Sequence, residues 1–267
     1  PRIEAGVDLR RTGATHLAER ERAGADGMCI PPQISVSGVI GYARCPKSYY
    51  WTAVRPLPRS SGPAARRGTE IHRWIERESR GQTSFIDAEP EAPDLTEGDL
   101  AGDGTGGEGG APVSVEHLRE TFRASRFAGM VPLHVERSFL LAFGRFTVTG
   151  KIDAIFEGPD GAWEVVDWKT GKRPADDDVT RMQLDVYALA CMEVWGKRPE
   201  DLTTTYVYLQ TGEIVSTRPD DAATLRERVG RHLDAIAREE FPATPGPQCT
   251  WCDFRSFCAE GTAYLAR

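Results

Sequence analysis

Asp167 and Lys169 stand two residues apart near the end of the run Trp163-Glu-Val-Val-Asp-Trp-Lys-Thr-Gly171. Trp163 to Val166 reads as a short buried strand, and Gly171 stops it. Side chains two apart on a strand point to the same side, so this carboxylate and this ammonium address one small volume, an acid beside a base. Just upstream, Phe146 to Phe156 is a second β-branched and aromatic run that carries another carboxylate, Asp153, in an apolar setting. Charges buried without partners or a metal are costly, so two carboxylates and a lysine on adjacent strands mark a site and not a solvated edge.

Three further groups have the right atoms for chemistry. His72 sits beside Ile71 and Trp74 on a helical stretch; taken alone it is a packing residue, and with Asp153 and Asp167 at hand its neutral imidazole becomes a metal ligand. Gln183 and Tyr187 lie one helical turn apart, so they face the same way. By spacing they are either a polar fringe on a core helix or contacts to the site. Cys249-x-x-Cys252-x5-Cys258 needs a fourth soft ligand from elsewhere in the chain, and the spacing alone leaves zinc and an iron–sulfur cluster both open. Cys45 taken singly is a buried small hydrophobe. Cys29 and Cys191 read as structural or incidental.

Taken in order, Gly68-x-x-x-His72, Gly150-x-x-Asp153, Asp167-x-Lys169-Thr-Gly171 and Gln183-x-x-x-Tyr187 resemble the RecB-like branch of the PD-(D/E)XK nuclease superfamily. Cys45 with the C-terminal trio resembles the iron–sulfur version found in AddB- and AdnB-type helicase-nucleases and in CRISPR-associated adaptation nucleases. These elements span roughly Ser35 to Cys258. The resemblance implies an α/β fold with a restriction-endonuclease-like core: a mixed central sheet flanked by helices, its N-terminal helical region tied to the C-terminal tail by a four-cysteine cluster. It implies Mg2+ or Mn2+ on His72, Asp153 and Asp167, with Lys169 orienting the attacking water and Gln183 and Tyr187 orienting the active site or the DNA. It implies a [4Fe–4S] cluster on Cys45, Cys249, Cys252 and Cys258. The activity implied is metal-dependent deoxyribonuclease, an exonuclease on single strands or DNA ends, as the nuclease module of a repair or recombination helicase-nuclease with a UvrD-like motor as partner. Two other classes remain: a catalytically silent nuclease-like module that binds DNA or a helicase, and a zinc-stabilised interaction domain. The intact set of His72, Asp153, Asp167 and Lys169 argues against the silent module.

The chain has 267 residues and a formal charge of −7, which sits awkwardly with a nucleic-acid enzyme until the acid is located. Residues 81–112 hold eight Asp or Glu and no Lys or Arg, leaving 33 basic against 32 acidic residues elsewhere. The body is near neutral, so global charge does not exclude DNA. That Gly-rich acidic segment is expected to be a disordered insertion. Residues 1–32 read as a tether or the end of a preceding region, and 33–264 as one nuclease domain closed by the cysteine motif at 249–258. The first residue is Pro and not Met, which suggests a fragment or a processed chain. No apolar run approaches the ~20 residues that cross a bilayer, and the start lacks the features of a signal peptide, so a cytoplasmic, membrane-free protein is expected. Six cysteines, four grouped by motif, suit a reducing compartment and a metal site better than disulfides.

The elements that must position these residues follow from pattern. Ser35 caps a helix that Pro46 ends just after Cys45. A helix over 64–79 bears His72, and another runs from Val113 to Ser125. Strands cover 131–143, 145–157 and 163–169. An amphipathic helix spans 176–195, a hairpin 203–216, and a closing helix 225–239 precedes a Pro-rich linker.

Overall fold

The computed structural model describes residues 30–57, 63–80, 113–174 and 178–267. The acidic insertion expected at 81–112, Cys29 and most of the expected tether lie outside the described residues.

Three strands form the heart of the sheet because their sequences alternate or run apolar between turn residues. β2 (His134–Phe143) and β3 (Phe146–Glu157) make a hairpin joined by Gly144 and Arg145, and β4 (Trp163–Lys169) returns after the Gly158–Gly161 turn. Gly144 and Gly161 both take positive φ, +56° and +77°, which lets the turns close without strain at Cβ. β1 (Gln33–Ser35), a strand too short to read from pattern, lies parallel to β3 at Thr147–Thr149. β5 (Leu202–Tyr208) lies parallel to β4, and β6 (Glu213–Thr217) closes the order β1-β3-β4-β5-β6, with β2 on the other edge of β3. The sheet is therefore mixed, and helices flank it.

On one face pack α1 (Val36–Arg44), α5 (Asp178–Trp195) and α6 (Ala222–Ala237), burying Val36, Val39, Val186, Leu189, Leu225 and Val229 against Val148, Ile152 and Val165. On the other face α3 (Pro63–Ser79) and α4 (Val115–Ala124) bury Ile71, Ile75, Leu118 and Phe122 against Val166, Trp168 and Val207. α5 differs from the amphipathic helix expected. Every residue from Met182 to Met192 is buried, because the helix is the crossover between parallel β4 and β5 and is itself covered by α6. Its one buried carboxylate there, Asp185, is paired to Arg228 of α6.

Ser35 caps α1 as expected, its hydroxyl accepting from Gly38 N–H, and the helix stops before Cys45. Pro46 does not begin a loop. It takes the first position of α2 (Pro46–Tyr49), where its missing N–H costs nothing, and the chain continues as a π-helical turn through Tyr50–Val54. The tail ends in α7 (Ala259–Leu265), which sequence pattern did not reveal. The N-terminal helices and the tail are held together by polar and aromatic contacts. Lys47 pairs with Glu260 at 2.7 Å, Lys47 N–H donates to Pro242 C=O, and Tyr49 stacks on Phe241. No helix of the described residues is long and apolar enough to cross a membrane.

Candidate active site

The site forms where the ladders of β3 open. Along one edge β3 pairs first with β1, at Thr147–Thr149, and then with β4, at Ala154–Glu157, leaving Gly150 to Asp153 without a strand partner there. Extending the β3–β4 register by one step sets Asp153 against Asp167, the first positions past the paired stretch. The β2–β3 ladder is unbroken in register yet skips one pair, Glu136 opposite Asp153. Glu136 stands there with φ at +52°, an uncommon conformation for a residue with a side chain. Three carboxylates thus lie in a row across β2, β3 and β4.

α3 adds the imidazole. Gly68 faces Thr170 just beyond β4, which lays the helix against the strand end, and one turn later His72 Nδ1 stands 3.5 Å from Asp153 Oδ2. His72, Glu136 and Asp153 offer ligand atoms within 4.8 Å of one another. The same Asp153 oxygen accepts from Trp168 N–H at 2.9 Å, so the backbone of β4 fixes it where the strands part. Gly150 is needed three residues earlier: a Cβ there would lie 2.5 Å from both Phe139 Cζ and Val36 Cγ2.

Lys169 and Asp167 meet as two residues on one side of a strand, Nζ to Oδ2 at 2.8 Å. Gln183 on α5 ties the pair together. Its Nε2 donates to Asp167 Oδ1 and to Tyr187 Oη, each at 2.8 Å, and its Oε1 accepts from Lys169 Nζ. Gln183 and Tyr187 are both buried, so they fix the lysine and the carboxylate from behind. Lys169 keeps 27% of its side chain accessible while Asp167 keeps 2%, so the ammonium is the member that reaches outward.

Electrostatics show a site short of positive charge. Burial opposes ionisation of Asp167, and with repulsion from Asp153 it outweighs the attraction of Lys169, lifting this carboxyl to about 6. Burial and the neighbouring Asp153 likewise lift Glu136 to about 7, against the pull of Lys151. His72 moves the other way. Burial disfavours its charged form, but Asp153, Asp167 and Glu136 outweigh that and raise it to about 9. Asp153 is held below its usual value despite burial, because the His72 charge and the Trp168 N–H favour the carboxylate. The imidazolium therefore supplies the charge that a cation would supply. One nitrogen and a row of carboxylate oxygens is a donor set suited to Mg2+ or Mn2+.

The profile of the PD-(D/E)XK nuclease superfamily matches residues 33–259. This chain belongs to that superfamily. PD-(D/E)XK nucleases use divalent metals, and among the described residues His72, Glu136 and Asp153 form a group with ligand atoms close enough to hold one. Among curated proteins, the Gene 69 protein of Mycobacterium phage D29 is 30% identical over 131 residues, 46% of this chain and 47% of that protein. The chain spans about half the length of that relative. Two solved structures are similar to this PD-(D/E)XK chain at low identity. SSO0001 is 16% identical with a TM-score of 0.42, over 93% of this chain and 96% of its own. A candidate exonuclease from Eubacterium rectale is 15% identical with a TM-score of 0.49, over 78% and 80%.

Of the residues singled out by motif, His72, Asp153, Asp167, Lys169, Gln183 and Tyr187 come together in one place. Glu136 is an addition. It carries no motif spacing and sits in an ordinary-looking strand, yet a signal existed: a two-residue turn at Gly144 and Arg145 fixes the hairpin register and sets position 136 opposite 153.

The four cysteines gather away from this row. Cys45, Cys249, Cys252 and Cys258 all line one cavity of about 570 Å³ between α1, α2 and the tail. Gly246 N–H points at Cys249 Sγ and Gly261 N–H at Cys258 Sγ, at 3.5 and 3.3 Å. A Cβ on Gly261 would lie in van der Waals contact with both Cys258 Sγ and Cys249 Sγ, at 3.4 and 3.5 Å, so the two thiols flank this glycine. Cys191 is instead buried in the main core, where burial pushes its thiol up to about 12.

Proposed function

We propose that this chain is a Mg2+- or Mn2+-dependent deoxyribonuclease, an exonuclease on single strands or DNA ends, serving as the nuclease module of a repair or recombination helicase-nuclease. The observation that carries the reading is the row Glu136, Asp153, Asp167, with His72 beside it and Lys169 reaching outward, at the point where the β3 ladders part. His72, Asp153 and Asp167, joined by Glu136, would hold the ion. When bound, it lowers the pKa of an attacking water and neutralises charge that grows on the scissile phosphate. Asp153 is held in place for this by Trp168 N–H at 2.9 Å. Lys169, anchored by Asp167 and Gln183, offers its ammonium to the attacking oxygen and to the developing negative charge. Gln183 and Tyr187 hold that ammonium in place and are positioning residues.

The test is DNA degradation by the purified chain. Activity is expected with Mg2+ or Mn2+ and none in excess EDTA. Lys169→Ala should reduce kcat by about 10²–10³ in a chain that still melts cooperatively, because its charge acts mainly in the transition state. Full turnover in EDTA would remove the metal mechanism, and wild-type turnover in both Asp167→Ala and Lys169→Ala would remove the site.

For the cysteines the proposal is a [4Fe–4S] cluster on Cys45, Cys249, Cys252 and Cys258. Its support is that all four cysteines line one cavity and that their spacing resembles the iron–sulfur version of the family, in which four thiolates hold a cubane. The amide donors to sulfur suit thiolates and tune such clusters. Protein prepared anaerobically should be brown, absorb broadly near ~400 nm and hold about four irons per chain. One zinc per chain without iron, in cells supplied with iron, would refute the cluster. Asp167→Ala should keep the colour and lose only cleavage.

A further inference from the structure

Lys151 fills an unassigned position of the Gly150-x-x-Asp153 motif, yet it stands in the catalytic row. Gly150 before it faces Val36 and Phe139, on the α1 side of the sheet, so alternation along β3 turns Lys151 to the α3 side, where His72 and Asp153 meet. Its Nζ lies 3.3 Å from Glu136 Oε2, on the carboxylate that joins His72 and Asp153 in the group able to hold a cation.

The ion pairs give the row an ammonium at each end. On β4, Lys169 pairs with Asp167 at 2.8 Å and keeps 27% of its side chain accessible; on the β2 side, Lys151 pairs with Glu136 and keeps 29%. Between them Asp153 is served by His72 and by Trp168 N–H. Ion pairs this accessible contribute little to stability, so the fold gains little from Lys151. A nucleic-acid strand approaching three carboxylates is repelled by them, and an accessible ammonium at each end of the row offsets that repulsion. Neighbouring strands lie ~4.8 Å apart, so the row from β2 across β3 to β4 is about 10 Å long, and the two ammoniums stand where different phosphates of one strand would pass.

We propose that Lys151 is a second substrate-binding cation of this site: it holds the phosphodiester next to the one being cut, on the β2 side, while Lys169 serves the scissile phosphate from the β4 side. The DNA strand then lies along the row, from β2 across β3 to β4. The proposal rests on the nuclease reading above. Glu136 holds Lys151 in this structure; once Glu136 turns to a bound cation, the ammonium passes to the phosphate, for which a compact charge on a flexible stem needs no fixed geometry.

The experiment measures binding of a fluorescein-labelled oligothymidylate in Mn2+, by anisotropy across a series of salt concentrations, to the full chain carrying Lys169→Ala so that cleavage is slow; calorimetry on the otherwise wild-type chain gives Mn2+ affinity without DNA. Adding Lys151→Ala is expected to weaken DNA binding about tenfold and to reduce the slope of log K against log[salt] by about 0.7, the loss of one phosphate contact on a single strand. Without DNA, the same substitution should tighten Mn2+ binding about two- to fivefold, because the ammonium no longer competes for Glu136. Loss of DNA together with gain of metal is a pairing that a damaged fold cannot produce. Lys151→Arg should keep the slope, and Lys151→Met, which keeps the aliphatic stem, should behave as alanine does. Unchanged DNA affinity and slope in both Lys151→Ala and Lys151→Met would reduce the pair with Glu136 to a structural one and overturn the proposal, while cleavage by the wild-type chain would leave the nuclease reading standing. Weaker Mn2+ binding in Lys151→Ala would assign the lysine to building the metal group and overturn it as well. A wild-type chain that neither binds nor cleaves DNA in Mn2+ would overturn both readings.

Discussion

At the scale of single residues, the candidate site is a set of acids whose charge is balanced by protons until a cation arrives. His72, at about 9, holds a proton at neutral pH, and Glu136, at about 7, holds one half the time. Only the deprotonated forms bind a metal, so Mn2+ binding should release protons at pH 7 and tighten as pH rises towards 9. Calorimetry in buffers of different ionisation enthalpy reads the release directly, and a heat independent of buffer would contradict it. The same shifts act on stability without metal. His72 is raised from 6.5, so its contribution is complete below 6.5 and disappears as pH climbs through about 9. Glu136 and Asp167 are acids raised on folding, so the folded state binds their protons more tightly and loses stability as pH rises past 4 towards 7. All three have one sign. Melting in EDTA should fall from pH 5.5 to pH 9, and added Mn2+ should raise it more at the upper end. Most of this chemistry was legible in the chain, since Asp167, Lys169 and Asp153 announce themselves as charges in apolar strands. Glu136 did not, because between Val135 and Arg137 it looks like a solvated strand face, and only the hairpin register reveals its partner.

At the scale of elements, Gly150 couples the sheet to the site. Replacing it with Ala would drive a methyl into Phe139 and Val36, and such overpacking costs about 1–3 kcal/mol. Gly150→Ala is expected to lower the melting temperature and to reduce cleavage beyond what the stability loss explains, because Asp153 lies three residues on. Adding Val36→Ala should restore part of both; a double variant no better than the single one would show that Val36 is not the obstacle. The strands β2, β3 and β4 were readable because each is long and bounded by turn residues. β1 was not, since three residues carry no period and gain their strand character from β3 alone. Pro46 ended the first helix where the sequence placed its end; the rule that proline stops a helix holds for α1, and the rule that proline starts one explains α2.

At the scale of the molecule, the two helices that bracket the acidic stretch already pack on each other. Glu70 of α3 pairs with Arg119 of α4 at 3.2 Å, and Trp74 meets Phe122 edge-on. Replacing 81–112 with a short Gly/Ser linker should therefore leave the melting temperature and the cleavage rate unchanged. At low salt, DNA association should quicken, because eight carboxylates no longer repel the substrate. A marked drop in melting temperature would assign the segment a structural part.

The cavity that gathers Cys45 with Cys249, Cys252 and Cys258 also sets a timetable. About two hundred residues separate the first of these thiols from the rest. At ~5–20 residues per second, a ribosome needs roughly 10–40 s to supply the others. During that interval Cys45 is an unaccompanied thiol on a nascent chain, and the sheet has to assemble without its closing tail. A metal group held by all four thiols therefore waits for residue 258, and a chain stalled before residue 249 would keep α1 packed on the sheet and Tyr49 stacked on Phe241 but lack the Lys47–Glu260 pair and three of the four thiols.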